Sequence, residues 1–164
     1  MESFKQKPEE EKIFSAIEKE LKAKVSEQER EKFGGDYSIN PENIKRFIEI
    51  GLDSIIEKLP ENLNAVDLGG AGGRLAEGVK KELEEKGKHS QFTVIDNNKG
   101  FVKEAEKREL KTIEANLAND IPLKEIDLAI MRNVLHYNSL EDIKKNLTNV
   151  KDSLKEGGFF VNQV

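Results

Sequence analysis

From residue 64 onward, short apolar runs alternate along the chain with segments whose apolar residues recur at helical spacing. The apolar runs predict strands at residues 64–68, 92–96, 111–116, 126–131 and 157–164. The helical spacing predicts helices between them, at residues 74–85, at about 99–108, and from 140 until the glycine pair at 157–158. The last of these helices has its predicted apolar stripe at Leu140, Ile143, Leu147, Val150 and Leu154. Strands that alternate with helices are typical of βαβ units and a parallel sheet with right-handed crossovers. The pattern therefore predicts an α/β fold with a doubly wound parallel sheet.

A charged stretch precedes this alternation. Within residues 9–32 the few apolar side chains recur every four positions, at Ile13, Ile17, Leu21 and Val25. This spacing puts them on one stripe of an amphipathic helix. The helix has two alternative roles, as a lid or partner-binding segment or as a helix packed on the domain. We interpret residues 1–35 as a charged helical N-terminal extension and residues 36–164 as the principal domain.

Another helix is expected between this extension and the first strand. Asn40 and Pro41 form an N-cap and N1 pair, and Leu59 and Pro60 mark the expected end. The apolar residues of the helix fall on one side, which we expect to pack on the sheet: Phe47, Ile48, Leu52, Ile55 and Ile56.

The composition excludes several chemistries. The chain of 164 residues has no cysteine, so it forms no disulfide, thiolate nucleophile or cysteine-ligated metal centre, and we predict no metal site. A net charge of −5 disfavours nucleic acid as a partner. No apolar run approaches the roughly 20 residues that span a bilayer, and the first residues lack the features of a secretory signal. We therefore expect a cytoplasmic protein without a membrane attachment.

The stretch "VDLGGAGGR", residues 66–74, crowds glycines into the turn after the first strand. Ligands of open α/β sheets bind at the carboxyl ends of the strands, and glycines there permit positive φ and close approach of the backbone. The dinucleotide fingerprint G-x-G-x-x-G fails, because a pattern that starts at Gly70 meets Leu75 where its third glycine belongs. A P-loop fails as well, since no glycine is followed by Lys and then Ser or Thr. An NAD-linked oxidoreductase is therefore disfavoured.

The same turn resembles the first motif of the class I S-adenosylmethionine-dependent methyltransferases, which runs acidic-x-G-x-G-x-G. Asp67, Gly69 and Gly73 match the motif, whereas Ala71 stands where the family has its middle glycine. The resemblance implies a Rossmann-like sheet of strand order 3-2-1-4-5, with S-adenosylmethionine as methyl donor and S-adenosylhomocysteine as product. The resemblance assigns five residues of this turn to the cofactor site: Asp67, Gly69, Gly70, Ala71 and Gly73.

Residues that follow the next two strands extend the resemblance. Asp96 ends the second strand, and a carboxylate at this place can accept hydrogen bonds from both hydroxyls of a ribose. The family uses an acid there to hold the adenosyl ribose, and the resemblance assigns Asn97 to the same site. It also places Asn116 and Leu117 beside the adenine ring. Considered alone, Asn116 has the alternative role of a turn residue.

After the fourth strand, "MRNVLHYNSLEDI", residues 131–143, resembles the R-x-V-L-H segment of many small-molecule methyltransferases. The resemblance implies that the backbone around Arg132 and Asn133 lines the methionine end of the cofactor and that His136 faces the substrate. An imidazole suits the deprotonation of a phenol or an acid-like hydroxyl near neutral pH. His136 is thus a candidate general base, and a structural role near the end of the strand is the alternative.

The sequence leaves the acceptor open. The chain lacks the Asn or Asp, Pro-Pro, aromatic arrangement of the enzymes that methylate amino groups of bases and glutamine side chains. This absence favours a small-molecule acceptor with a hydroxyl or carboxyl oxygen. The alternative function is a cofactor-binding module or partner subunit without turnover of its own, because the resembling fold continues beyond its fifth strand. An unpaired fifth strand would also invite a homodimer or a partner chain.

Overall fold

A computed structural model describes residues 40–135 and 138–163. They form a five-stranded parallel sheet in the order β3-β2-β1-β4-β5, which confirms the predicted α/β fold and strand order. In chain order the elements are α1 Pro41–Gly51, α2 Asp53–Ile56, β1 Asn62–Leu68, α3 Arg74–Glu85, β2 His89–Asp96, α4 Lys99–Glu106, β3 Lys111–Glu114, β4 Ile126–Arg132, α5 Leu140–Ser153 and β5 Leu154–Gln163. The N-terminal helix predicted within residues 1–35, and the domain boundary after it, lie outside the described residues.

Two apolar clusters cover the two faces of the sheet. Residues of α1 to α4 pack on the face that carries Ala65 and Leu128. Val150 of α5 and the segment between β3 and β4 pack on the opposite face, which carries Val66 and Ala129. The central strands are buried on both sides, which explains why the sequence shows them as continuous apolar runs rather than alternating ones.

The helix before β1 begins as predicted but is interrupted. The side chain of Asn40 caps α1 by accepting the backbone N–H of Asn43 at 2.8 Å, and proline occupies the first turn. The chain leaves α1 at Gly51 and forms the short α2, so the prediction of one helix to Leu59 is wrong. A Cβ at Gly51 would lie 2.8 Å from Cγ1 of Val161, so the backbone of α1 packs directly on β5 at this point.

The last helix is shorter and turned differently from the prediction. α5 ends at Ser153, and β5 starts at once with Leu154, before the glycine pair that we expected to stop the helix. α5 buries Asn146 together with Val150, whereas Leu140, at the start of the predicted apolar stripe, is 70% exposed. The amide of Asn149 donates to the carbonyl of Leu117 at 2.8 Å, and this bond attaches α5 to the turn after β3.

β5 lies at one edge of the sheet. Among the described strands it pairs with β4 alone, in parallel, and a register irregularity lies between Ile126 and Leu128. The pairing of this edge with a second copy or a partner chain stays a prediction. None of the helices in residues 40–135 and 138–163 is both long enough and apolar enough to cross a membrane.

Candidate functional site

The turn between β1 and α3 has an unusual backbone conformation. Gly69, Ala71 and Gly73 all have positive φ, at 70°, 44° and 78°. The N–H of Gly69 donates to the carbonyl of Ile95 at 2.7 Å, and the N–H of Gly73 donates to the carbonyl of Gly70 at 2.9 Å. The turn is therefore folded back on itself and attached to the end of β2. We call residues 69–73 the glycine loop.

Steric contacts within the protein explain why three positions of the loop are occupied by glycine. A Cβ added at Gly69 would lie 2.6 Å from Cγ2 of Val134, and one added at Gly70 would lie 2.6 Å from Cγ of Asp67. A Cβ at Gly73 would lie 2.6 Å from Cδ1 of Leu110. Asp67, which is buried, thus lies directly against the loop that follows it. The glycines let the loop pack tightly on its own domain, a requirement that the sequence did not reveal.

Ala71 and Asp96 connect the glycine loop to β2. The backbone N–H of Ala71 donates to Oδ2 of Asp96 at 3.0 Å. Ala71 is in the left-handed region, which costs a residue with a Cβ roughly 1–2 kcal/mol. The hydrogen bond to a carboxylate offsets part of that cost, because bonds to charged acceptors are stronger than neutral ones. The bend after β1 and the acid after β2 are therefore in direct contact.

Asp96 is buried but retains hydrogen-bonding capacity. Its Oδ1 accepts the N–H of Asn98 at 2.8 Å, and the residue remains 8% exposed. Burial raises the pKa of this carboxyl above its ordinary value of 3.8, and backbone hydrogen bonds from Asn98, Ala71 and Asn97 only partly counteract it. A carboxylate has about four acceptor positions. The backbone N–H groups of Asn98, Ala71 and Asn97 use three of them, so about one position remains for a hydroxyl of a ligand.

The two asparagines after Asp96 have different roles. Asn97 is exposed. Asn98, which the sequence analysis did not single out, is the N-cap of α4, and its Oδ1 accepts the N–H groups of Gly100 at 2.8 Å and Phe101 at 3.3 Å. An Asn before a helical pattern is an N-cap signal, so the sequence contained the information. The cap fixes the start of α4 beside the carboxylate.

Asn116 and Leu117 lie in the turn after β3, next to the end of β2. The N–H of Ala115 donates to the carbonyl of Asp96 at 3.0 Å, which brings this turn to the same edge of the sheet. Oδ1 of Asn116 accepts the N–H of Ala118 at 2.9 Å, so the side-chain oxygen supports its own turn. Asn116 is exposed, whereas Leu117 is buried. Their contact with adenine stays a prediction.

β4 ends at Arg132, and Asn133 follows it, at the same edge of the sheet as Asp96. Nε of Arg132 donates to Oε1 of Gln163 at 2.8 Å, and the N–H of Asn133 donates to the carbonyl of Gln163 at 2.8 Å. Asn133 has a φ of 56°, so the chain bends sharply as it leaves the strand. Gln163, at the end of β5, carried no sequence signal. His136 lies outside the described residues, and its role stays a prediction.

Arg108 is another contact that the sequence did not indicate. It follows α4, and its Nε donates to the carbonyl of Gly72 in the glycine loop at 2.9 Å. Across residues 40–135 and 138–163 there is no group of three or more His, Cys, Asp or Glu side chains that could hold a metal ion. The polar groups at this edge include the buried carboxylates of Asp67 and Asp96, loop N–H groups, amides, and the guanidinium groups of Arg108 and Arg132.

Comparisons with known proteins give a family match and several similar folds. The family profile described as "Methyltransferase domain" matches residues 66–160. No curated protein matches the chain.

Several solved structures resemble the fold. An S-adenosylmethionine-dependent methyltransferase from Clostridium acetobutylicum is 21% identical with a TM-score of 0.61, and the match covers 76% of this chain and 50% of that one. The mitomycin 7-O-methyltransferase MmcR is 18% identical with a TM-score of 0.65, over 82% of this chain and 39% of that one. The N-methyltransferase NodS from Bradyrhizobium japonicum, solved with S-adenosylhomocysteine, is 21% identical with a TM-score of 0.59, over 76% and 63%. At these identities the likeness shows the fold alone, and the chain matches about half of the Clostridium protein's length.

Proposed function

The chain belongs to the methyltransferase domain family that residues 66–160 match, and from this premise we propose that it binds S-adenosylmethionine and transfers the methyl group to a small molecule. S-adenosylmethionine-dependent methyl transfer is the chemistry of this family. The finer proposal concerns the acceptor, which we infer to present a hydroxyl or carboxyl oxygen. Relatives of this fold include an O-methyltransferase and an N-methyltransferase, so the acceptor rests on the sequence argument.

One observation carries the proposal: the carboxylate of Asp96 is bonded to the N–H of Ala71 in the glycine loop, at 3.0 Å. This contact puts a hydrogen-bond acceptor for sugar hydroxyls beside a bend of the backbone. The 12-residue helix α3 starts at the same bend, and its N-cap Gly73 offers no side chain to bond the first N–H groups. Such a helix start favours a polar or anionic ligand group. The chemistry of these groups fits an adenosyl cofactor.

The proposed roles of the residues follow from their places at this edge. S-adenosylmethionine, when bound, supplies an electrophilic methyl group on a sulfonium. We assign Asp96 to its ribose hydroxyls, with Asn97, Asn116 and Leu117 around the adenine end. The loop residues and the backbone at Arg132 and Asn133 are assigned to the methionine end. Methyl transfer is an in-line displacement, so the main task of these residues is to align donor and acceptor.

His136 is proposed as the general base that accepts the proton of the acceptor hydroxyl. We expect His136→Ala to retain affinity for S-adenosylhomocysteine and to lower kcat by about 10²- to 10⁴-fold, the usual contribution of a general base. Steady-state kinetics with an identified acceptor, together with calorimetry, measure both quantities. His89→Ala, at the start of β2, is the control. Equal turnover in the His136 variant would make that histidine structural.

A cofactor-binding module without its own turnover is the second candidate. Ala71 favours it, because a methyl group stands at a left-handed position where the resembling family has glycine. Calorimetry with S-adenosylmethionine, S-adenosylhomocysteine and NAD separates the candidates. If the chain binds neither S-adenosylmethionine nor S-adenosylhomocysteine, both candidate functions are wrong. Binding without methyl transfer to any acceptor of a hydroxyl and carboxyl panel supports the module.

The pH dependence of binding follows from the buried carboxyl. Burial raises the pKa of Asp96 above 3.8, and ribose hydroxyls need its ionised form as acceptor. Affinity for S-adenosylhomocysteine is therefore expected to fall as the pH falls through the raised pKa of Asp96. Titration calorimetry across this range measures the effect, and Asp96→Asn should flatten the profile. An unchanged profile in Asp96→Asn would contradict the assignment.

The contribution of Asp96 to the free energy of unfolding of the ligand-free protein should decrease as the pH rises, whereas ligand affinity should increase. A raised pKa means that the folded chain holds the proton more tightly than the unfolded chain. The stabilising contribution is then complete below 3.8 and is lost as the pH rises through the pKa of the folded state. Thermal unfolding of the ligand-free protein and of Asp96→Asn over the same pH range isolates this contribution.

A further inference from the structure

Arg108 connects three parts of the domain. Its Nε donates to the carbonyl of Gly72 at 2.9 Å, and its Nη1 donates to Oε2 of Glu77 in the first turn of α3 at 2.8 Å. Its Nη2 lies 4.0 Å from Oε1 of Glu104 on α4. The arginine side chain is only 23% exposed. A rigid, planar guanidinium thus joins the glycine loop to the helices on both sides of it.

The contact acts on a loop that needs support. Three loop positions have positive φ, and one of them is Ala71, for which that region is strained. On its inner side the loop is held by the bond from Ala71 to Asp96, and by that from Gly69 to Ile95. Arg108 holds the carbonyl of Gly72 from the side of α4. The orientation of each of these peptide groups is therefore fixed by a partner.

The consequence reaches the predicted ribose acceptor. The carbonyl of Gly72 shares a peptide group with the N–H of Gly73, which donates to the carbonyl of Gly70. The carbonyl of Gly70 shares a peptide group with the N–H of Ala71, which donates to Asp96. Rotation of the Gly72 carbonyl away from Arg108 would disturb this short chain of bonds and release the N–H that orients the carboxylate. We propose that Arg108 is a positioning residue for cofactor binding, which acts through the glycine loop without touching the ligand. The inference rests on the proposed function.

Two substitutions separate charge from geometry. Arg108→Ala removes every contact, and Arg108→Lys keeps the charge but loses the second directed donor that reaches Glu77 or Gly72. Lys107→Ala is the matched control, since Lys107 is the neighbouring cation and pairs with Glu104 at 3.3 Å. We expect Arg108→Ala to weaken binding of S-adenosylhomocysteine by about tenfold, Arg108→Lys to weaken it less, and the control to leave it unchanged. Calorimetry is run at a temperature at which circular dichroism shows every variant folded.

A measurement without ligand distinguishes this inference from the proposed function. Amide hydrogen exchange of peptides that cover residues 69–73 should be faster in Arg108→Ala than in the wild-type chain, and unchanged in Lys107→Ala. If wild-type protein fails to bind S-adenosylhomocysteine, the proposed function is wrong, and the exchange data still test whether Arg108 orders the loop. Wild-type affinity in Arg108→Ala, or lost affinity with unchanged loop exchange, overturns the inference.

A third variant covers the case in which Arg108→Ala does not fold. Glu77→Gln keeps Arg108 and its bond to Gly72 but removes the charge that orients the guanidinium at 2.8 Å. Loop exchange in Glu77→Gln and Arg108→Lys should then be intermediate between that of the wild type and that of a disordered loop. Wild-type exchange in both folded variants overturns the inference.

Discussion

Gly73→Ala is expected to lower the free energy of unfolding by about 2–4 kcal/mol. Two costs combine at this position. Gly73 has a φ of 78°, where a residue with a Cβ is strained, and its Cβ would lie 2.6 Å from Cδ1 of Leu110 and 3.1 Å from Cβ of Ala105. Leu110 is a buried side chain, and Ala105 belongs to α4, so relief requires α4 to shift. Urea unfolding of the two proteins measures the difference.

Gly87→Ala is the matched control for that substitution. Gly87 has nearly the same φ, 74°, but its Cβ would meet nothing within 4 Å. This variant bears the backbone strain alone, which we expect to amount to roughly 1–2 kcal/mol. Equal losses in Gly73→Ala and Gly87→Ala would show that the tight packing of the glycine loop against α4 does not contribute.

Asp96→Ala is expected to weaken the affinity for S-adenosylhomocysteine by about 1–3 kcal/mol, or roughly 5- to 150-fold. The substitution leaves the ribose hydroxyls without their acceptor, and it also removes the acceptor for the N–H of Ala71. Both losses act in the same direction, because a loop without this bond is less ordered. Isothermal titration calorimetry measures the change in affinity.

Asp127→Ala provides the comparison. Asp127 is 8% exposed, as Asp96 is, and it also accepts a backbone N–H, that of Asn64 at 2.9 Å. It is the second residue of β4, at the end of the sheet opposite to Asp96, and pairs with Lys155 at 3.4 Å. Its loss should affect stability but not affinity. Unchanged affinity in Asp96→Ala would remove Asp96 from the site, and an equal loss of affinity in both variants would attribute the effect to stability alone.

The positions of the strands along the chain could be predicted from the sequence, because they depend on the local apolar pattern. Buried parallel strands are short and apolar, so β1, β2 and β4 stand out from the helices between them. The contact between Asp96 and the glycine loop follows from the same pattern, because neighbouring parallel strands bring their carboxyl ends together. The strand order itself came from the resemblance to the methyltransferases.

Details that depend on contacts between distant segments could not be predicted from the sequence. The contact of Arg108 with Gly72 joins residues 36 positions apart and has no local signal. The buried face of α5 also differs from the predicted apolar stripe, and Asn149 of this helix has its partner in the distant turn after β3. No local signal showed that a Cβ at Gly69, Gly70 or Gly73 would meet atoms of the protein itself.

The bond between Asp96 and Ala71 makes sugar preference and loop order hard to change separately. Redesign of the sugar preference would start from the acid that we propose to face the ribose hydroxyls. That acid also anchors a strained backbone segment, because it accepts the N–H of Ala71 at 3.0 Å. A redesigned site must therefore supply a new acceptor for this N–H, or introduce a glycine at position 71, before any change in selectivity can be separated from loss of order.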